Sequence, residues 1–387
     1  MADRRGGLAT AVFACSASVV AYTFAGYPAL IGMAARLRPR PVRADPAHAP
    51  RVTVIIAAHN EQDVIEDKLA NTLGLDYPPE LLEIVVVSDG SDDATPERAH
   101  AVPGVTVLHE PQRRGKLAAV SRAFDATGGD VVVFSDANNR YSRTALRELV
   151  APFADPEVGV VTGRKAIDDG DGRALDRAEG LYWRYESQIK AWESAAGSVT
   201  AGAGEIVAFR RSAYRSPPDG TINEDLVGVM LAAEAGWRVV YAPAAVSLER
   251  ASRTIEDEAV RRTRVVAGRW QATWQLLPRL ALRRPRLAWQ LASHKAARPL
   301  VPWALAALAA STAALAPRAR WARRFGAAQG AFYAAAAAGW RNERRGRRSR
   351  WTYLPYYFCR MNLTALAGLR DALASGCGEL WERVPRG

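Results

Sequence analysis

Val52-Thr53-Val54-Ile55-Ile56-Ala57-Ala58-His59-Asn60-Glu61 opens the segment whose reading decides the fold. Seven uncharged residues, four of them β-branched valine or isoleucine, read as a buried strand that runs into three polar residues. The pattern recurs. Ile84-Val85-Val86-Val87-Ser88 stops at Asp89, and Val131-Val132-Val133-Phe134-Ser135 stops at Asp136. Further apolar runs fall at 105–108 and 158–161, with helical patterns at about 62–73, 116–127 and 143–153. Strands alternating with helices predict an α/β domain with a mostly parallel sheet flanked by helices. In such sheets a carboxylate at the carboxyl end of a strand faces the crevice where nucleotides bind. A third acidic cluster, Asn223-Glu224-Asp225, follows the turn Pro217-Pro218-Asp219-Gly220 and precedes the apolar pattern Leu226–Ala235.

The chain has 387 residues, is 49% hydrophobic and carries a formal charge of +12. A basic balance suits nucleic acid, anionic lipid or a diphosphate ligand. Many arginines flank apolar stretches: Arg36, Arg38, Arg40 and Arg43 after the first, Arg341, Arg344, Arg345, Arg347, Arg348 and Arg350 after a later one. That is a juxtamembrane pattern. No zinc-finger spacing or aromatic RNA-binding signature accompanies it, so nucleic acid is not expected as a partner. Cys15, Cys359 and Cys377 show no paired spacing, which argues against a disulfide framework or a zinc site.

Residues 8–35 are nearly uncharged and exceed the roughly 20 residues that cross a bilayer. A cleaved signal peptide is the rival, but its apolar core spans only about 7–15 residues. The expected organisation is an anchor at 1–37, a proline-rich linker at 38–50, a catalytic domain at 51–280, an amphipathic interfacial segment at 281–298, a membrane region of two or three helices at 299–374 and a tail at 375–387. Pro299–Ala316 and Phe325–Trp340 are the candidate later spans, although the alanine-rich second also reads as a buried soluble helix. If both span, the four arginines of 318–324 face outward, against the positive-inside tendency. A re-entrant hairpin would avoid that. Residues 353–374 either span or lie in the interface.

His59-Asn60-Glu61 occupies a strand-to-helix turn, either at a nucleotide or as a helix cap at Asn60. Asp89 either accepts a hydrogen bond from a base or ribose, or forms an Asx-turn. Arg113-Arg114-Gly115-Lys116 precedes a helix, where cations oppose the dipole. An anion at that end, such as a diphosphate, would resolve the conflict. The spacing is not that of a P-loop. Asp136 and Asn138 are two oxygen ligands two residues apart, suited to Mg²⁺ or Mn²⁺, or else a turn-forming pair. Glu224 and Asp225 supply two adjacent carboxylates where capping explains one, and one of them can serve as a general base. The helix Arg261–Gln271 sets several cations on nearby turns, for a diphosphate or for anionic lipid.

In this order, Ala57-Ala58-His59-Asn60-Glu61, Val87-Ser88-Asp89-Gly90-Ser91-Asp92-Asp93, Arg114-Gly115-Lys116, Ser135-Asp136-Ala137-Asn138, Gly202-Ala203-Gly204, Asn223-Glu224-Asp225 and Arg262…Arg264…Gly268…Gln271 resemble the family 2 glycosyltransferases. The resemblance is to the membrane-embedded branch of cellulose, chitin, hyaluronan and poly-N-acetylglucosamine synthases. It implies a GT-A fold and a nucleotide-diphosphate-sugar donor, with a UDP-sugar expected. It places Ala57, His59 and Glu61 around the nucleoside, Asp89 on the base and Lys116 near the nucleotide. Asp136 and Asn138 fall at the DxD position for the cation, Gly202–Gly204 beside the acceptor, and Asp225 at the general base. Asn138 and Asn223 depart from the usual Asp and Thr. The Gln-x-x-Arg-Trp signature of processive synthases falls on Arg261–Val265. Arg264 is kept and Gln and Trp are not, leaving Trp270, five residues on, as the candidate sugar-stacking ring.

The expected activity is inverting hexosyl or N-acetylhexosaminyl transfer to a polysaccharide or lipid-linked acceptor, in exopolysaccharide or envelope glycan synthesis. Arg262 or Arg264 would offset the charge of the leaving diphosphate. The expected location is multi-pass in the plasma (inner) membrane with the catalytic domain in the cytoplasm. A non-processive transferase making a polyprenyl-phosphate- or lipid-linked sugar is the alternative, and a non-catalytic nucleotide-binding membrane partner a weaker one. Membrane lipids are expected partners; secretion or polymerase subunits are left open.

Overall fold

The computed structural model describes residues 2–168, 174–250, 254–347 and 349–374. The tail, with Cys377, lies outside these. Among the described residues eight strands form one sheet: β1 Val52–Ala58, β2 Leu82–Asp89, β3 Val105–Glu110, β4 Val131–Asp136, β5 Arg140–Tyr141, β6 Val158–Asp168, β7 Val207–Arg210 and β8 Arg238–Arg250. Their order is β3-β2-β1-β4-β7-β6-β8-β5. The β3-β2-β1-β4 half is wholly parallel, as expected. The other half is mixed: β7 runs antiparallel to both β4 and β6, β5 runs antiparallel to β8, and β6 and β8 are parallel. The chain goes left from β1 to β2 and returns to its right as β4. That reversal is a topological switch point, and it places the ends of β1 and β4 at one crevice.

All seven residues of β1 are buried, which is why it reads as unbroken apolar sequence rather than as an alternating strand. Its faces serve two cores. Val54 and Ile56 pack with Ile65, Leu69, Leu146 and Leu149. Ile55 and Ala57 pack with Ala119, Leu226, Val229 and Leu276. Each valine, leucine and isoleucine among these contributes about 1.5–3 kcal/mol on burial.

The helices are α1 Ala2–Ala21, α2 Tyr27–Leu37, α3 Ile65–Leu73, α4 Thr95–His100, α5 Lys116–Asp125, α6 Ala145–Val150, α7 Ala174–Ala196, α8 Glu224–Glu234, α9 Ile255–Arg283, α10 Pro285–Leu291, α11 Val301–Leu315, α12 Arg320–Arg344 and α13 Arg350–Ala374. Helix α9 begins with a capping box: Thr254 Oγ1 accepts from Asp257 N–H at 3.1 Å, and the Asp257 carboxylate accepts from Thr254 N–H at 3.2 Å. Beyond the sheet, α13 packs on α9, α12 on α13, and α1 on α11.

Among the described residues two segments are long and apolar enough to cross a membrane, Gly6–Leu37 and Pro285–Leu315. The second differs from the expectation of an interfacial stretch at 281–298. Leu287, Ala288 and Leu291 are buried in the core beneath the sheet, and the chain continues from them into α11. Phe325–Trp340 forms part of α12, whose ends carry arginines, and that helix does not reach spanning hydropathy.

Candidate active site

One cavity of about 1740 Å³ opens at the carboxyl ends of β1 and β4 and extends to α7, α9 and α13. Glu61, Lys116, Asp136, Asn138, Gly202, Gly204, Glu224, Asp225, Arg262 and Arg264 all line it. Residues as far apart in sequence as Glu61 and Arg264 are thus brought together. Ala57 stands directly opposite Asp136 in the β1–β4 register, because both strands end at the same level.

Lys116 starts α5 and joins the acidic clusters. Its Nζ lies 2.6 Å from Asp136 Oδ1 and 3.6 Å from Glu224 Oε1. Burial alone would lower its pKa, but the carboxylates of Asp136 and Glu224 outweigh that and hold it above the usual lysine value. Glu224 and Asp225 open α8. Burial, Glu224 and Glu205 push the Asp225 carboxyl up to about 6, against Lys116 and Lys190. The Gly202-Ala203-Gly204 loop lies directly on this residue. A Cβ at Gly204 would sit 3.4 Å from Asp225 Oδ2, and one at Gly202 3.3 Å from Asp225 O. Glycine there lets the loop approach the carboxylate closely.

Four residues expected at the site do not line the cavity: Ala57, His59, Asp89 and Trp270. Asp89 accepts from Arg114 N–H at 2.8 Å and from Gly115 N–H at 2.7 Å. The anion expected at the start of α5 is therefore the chain's own Asp89 carboxylate, which satisfies amides left open before the helix. Gly90 beside it has φ +62, and a Cβ there would lie 2.7 Å from Arg113 Cβ, so the loop and strand end close on a glycine. His59 Nδ1 lies 2.8 Å from Asp89 O. Asn60 is not a helix cap: it has φ +54, donates to Asp92 Oδ1 at 2.7 Å and accepts from Asp92 N–H at 3.0 Å. This pairing ties the loop after β1 to the loop after β2. Trp270 stacks on Trp274 with centroids 5.8 Å apart. Five residues along a helix turn a side chain about 140° from Val265, so Trp270 cannot replace a ring at that position.

Asn138 Oδ1 is buried without a hydrogen-bond donor. With the neighbouring Asp136 carboxylate it offers hard oxygen ligands, a donor set that fits Mg²⁺ or Mn²⁺. Among the described residues no three His, Cys, Asp or Glu side chains converge on a metal position. A cation here would take further ligands from a bound diphosphate and water.

Several residues at the site gave no sequence signal. Lys68 on α3 is buried, donates to Asn139 Oδ1 and lies 4.1 Å from the Tyr141 ring centroid. Asn139 Nδ2 and Tyr141 Oη each donate to Glu205 O at 2.8 Å. Together they fix the segment after Asp136. Burial lowers the Lys68 pKa to about 7, against a rise caused by Asp136. Tyr182, Glu186, Lys295 and Arg298 also line the cavity; they come from α7 and the entry to α11, which sequence spacing does not connect.

Residues 53–216 match the sequence family described as glycosyl transferase family 2. Curated relatives include a probable glycosyltransferase, YdaM, of Bacillus subtilis, 27% identical over 257 residues, covering 62% of this chain and 61% of the relative. Another is a poly-beta-1,6-N-acetyl-D-glucosamine synthase of Staphylococcus aureus, 29% identical over 202 residues, covering 50% of this chain and 48% of the relative. The chain thus spans about half to three-fifths of the length of these relatives. Among solved structures, a mannosyltransferase from Pyrobaculum calidifontis in complex with GDP-Man and Mn²⁺ superposes with TM-score 0.69 at 28% identity, over 94% of this chain and 99% of the other.

Proposed function

On the premise that the chain carries a family 2 glycosyltransferase domain on a GT-A fold, we propose that it transfers a sugar from a nucleoside-diphosphate sugar to a glycan or lipid-linked acceptor at a membrane. The observation that carries this reading is the single ammonium of Lys116, which reaches both Asp136 and Glu224 and acts on Asp225. One group thereby couples the place for a diphosphate to the place for a base.

The reaction is a single displacement. An acceptor hydroxyl oxygen bonds to the anomeric carbon while the bond from that carbon to the diphosphate oxygen breaks. The proton goes to Asp225, and the electron pair leaves on the nucleoside diphosphate. Asp225 suits the base role because its raised pKa makes it a stronger base, yet leaves it ionised at neutral pH. Glu224 holds Lys116 toward the leaving group, and Lys116 offsets part of the developing charge. A divalent cation held by Asp136 and Asn138 would neutralise the diphosphate further. Arg264 on the cavity wall is placed to add to that.

Residues 51–280, with the stretch at 285–298 packed against them, form the catalytic unit in this reading. Gly6–Leu37 and the apolar helix α11 anchor it, with the arginines after Leu37 on the cytoplasmic side. Protease applied to sealed right-side-out vesicles should leave the domain intact. The donor is a UDP- or GDP-sugar: the S. aureus relative is named for N-acetylglucosamine, and the structural neighbour holds GDP-Man. Purified protein supplied with each UDP- and GDP-sugar and Mn²⁺ or Mg²⁺ should release nucleoside diphosphate from one class of donor. Absence of release from every donor would overturn the reading.

A further inference from the structure

Glu193, on α7, is fully buried, and its carboxylate meets four donors. Tyr27 Oη donates to Oε1 at 2.5 Å, the Thr200 N–H to Oε2 at 3.0 Å and the Thr200 hydroxyl to Oε2 at 3.1 Å. His294 Nδ1 lies 2.7 Å from Oε1. An ionised carboxylate offers about four lone-pair sites, so this one is filled. Burial raises the Glu193 carboxyl, but His294 and Lys295 outweigh it and hold it below the usual range. A fully satisfied buried network of this kind fixes its members in place. The partners come from distant parts of the chain. Tyr27 opens α2, Thr200 lies just beyond α7, and His294 sits in the π-helical turn Ala292–Ala296.

Two residues after Thr200 the chain enters the Gly202-Ala203-Gly204 loop that lies on Asp225. Two residues span at most about 7 Å, so a shift of Thr200 passes directly into that loop. The loop's other ties are the Ala203 N–H, which donates to Thr162 Oγ1 at 2.9 Å, and Gly202 O, 3.5 Å from Lys190 Nζ. Its two glycines bring no side chain of their own to hold it. On its other side Glu193 meets the apolar segment Gly6–Leu37. Tyr27, Pro28, Ile31, Gly32 and Ala35 are buried, and α2 packs on α7. Apolar packing accounts for these residues but not for the Tyr27 hydroxyl. A phenylalanine would fill the same space, and what the hydroxyl adds is the bond to Glu193.

We propose that Glu193 is a positioning residue: with Tyr27 and His294 it holds Thr200 so that the Gly202–Gly204 loop stays against Asp225 and limits water at its carboxylate. The seating of the anchor segment on α7 thereby becomes a condition for a working base. This rests on the function proposed above for the role of Asp225. The charged groups that act on Asp225 are Glu224, Glu205, Lys116 and Lys190. None belongs to the network, so Glu193 reaches the base through burial rather than through charge. Opening the loop would admit water, favour the ionised carboxylate and lower its pKa toward that of an exposed aspartate. A role confined to packing α2 on α7 would leave that value unchanged.

The test reads the loop and the base separately, on full-length protein in detergent. Amide hydrogen exchange of residues 200–204 reads the loop without any turnover. Tyr27→Phe, Thr200→Val and Glu193→Gln should each speed that exchange by about tenfold or more, with β1 and α9 unchanged. Tyr22→Phe is the control from the same anchor segment. It loses contacts to Ser293 Oγ at 2.7 Å and Trp289 Nε1 at 3.0 Å but none to Glu193, and it should leave the loop's exchange as in the parent. The pH–rate profile of nucleoside-diphosphate release, with water as acceptor, reads the base. In Tyr27→Phe and Thr200→Val its acidic limb should move down by roughly half a pH unit or more, while Tyr22→Phe should keep it near 6. Thr200→Ser keeps the hydroxyl and should match the parent in both readings. Unchanged loop exchange, a rise spread evenly over β1 and α9, or an equal effect from Tyr22→Phe overturns the proposal. So does faster loop exchange with the limb unmoved. Should no donor be turned over, the exchange results still decide what holds the loop, so failure of the function reading is distinguishable.

Discussion

Gln271 Oε1 accepts the Ile222 N–H at 2.9 Å, three residues before Asp225, while its Nε2 donates to Gly220 O at 2.8 Å. One side-chain amide on α9 therefore holds both ends of the short segment leading to Asp225, the proposed base. Gly268, one turn earlier, makes the approach possible: a Cβ there would lie 2.6 Å from Asn223 Cβ. Gln271→Leu removes both bonds, and Gly268→Ala forces Asn223 aside. Both should lower kcat by about 10- to 100-fold through displacement of Asp225. Donor dissociation constants should change little. A proportional loss of donor affinity would show that α9 supports the nucleotide end instead.

Ionisation of Asp225 sets an acidic limb. With its pKa near 6, kcat/KM should rise tenfold per pH unit below about 6 and level off above it. Glu224→Gln removes a charge that raises this pKa, so the limb should move to lower pH. The stability sign follows from the same shift. A carboxyl whose folded pKa lies above its unfolded value favours the folded state when protonated, and that contribution is lost as pH rises from about 4 through 6. Asp225→Asn should therefore abolish transfer yet raise the thermal midpoint at pH 8, with the gain shrinking as pH falls toward 4. A pH-independent difference would remove Asp225 as the titrating group.

Asp136 and Asn138, the proposed cation ligands, offer one charged carboxylate and one neutral oxygen. Chelation with EDTA should stop nucleoside-diphosphate release, and Mn²⁺ or Mg²⁺ should restore it. Asn138→Asp adds a carboxylate where Asn138 Oδ1 is now buried without a donor. The concentration of Mn²⁺ giving half-maximal activity should fall by about tenfold. No change on this substitution would place the cation away from residue 138.

The parallel half of the sheet was legible because its strands are buried on both faces and read as continuous valine and isoleucine. The 13-residue β8 was not. Pro243 interrupts its pattern, and the structure tolerates the proline because the β6–β8 register shifts between Thr162 and Arg164, opposite Tyr241 to Val246. Lys116, Asp136, Glu224 and Asp225 announced themselves as charges at strand and helix ends. Glu193 did not, since its meaning depends on Tyr27 and His294, each more than a hundred residues away. Trp270 shows the reverse error: a suitable residue type near the right place, aimed the wrong way by helical geometry.

Asp89 gives the sharpest contrast between resemblance and geometry. A carboxylate that reads a nucleobase should matter only for ligands that carry a base. One that holds the amides of Arg114 and Gly115 acts through Lys116, the next residue, and hence on the diphosphate. Charge-assisted hydrogen bonds of this kind contribute about 1.5–3 kcal/mol each. Asp89→Asn retains one acceptor oxygen and loses the charge. It should weaken UDP, GDP and inorganic pyrophosphate by a similar factor, about 10-fold or more, measured by calorimetry with Mn²⁺ present. Weakening of UDP or GDP alone, with pyrophosphate unchanged, would restore Asp89 to the base and show that the loop keeps Lys116 in place without it.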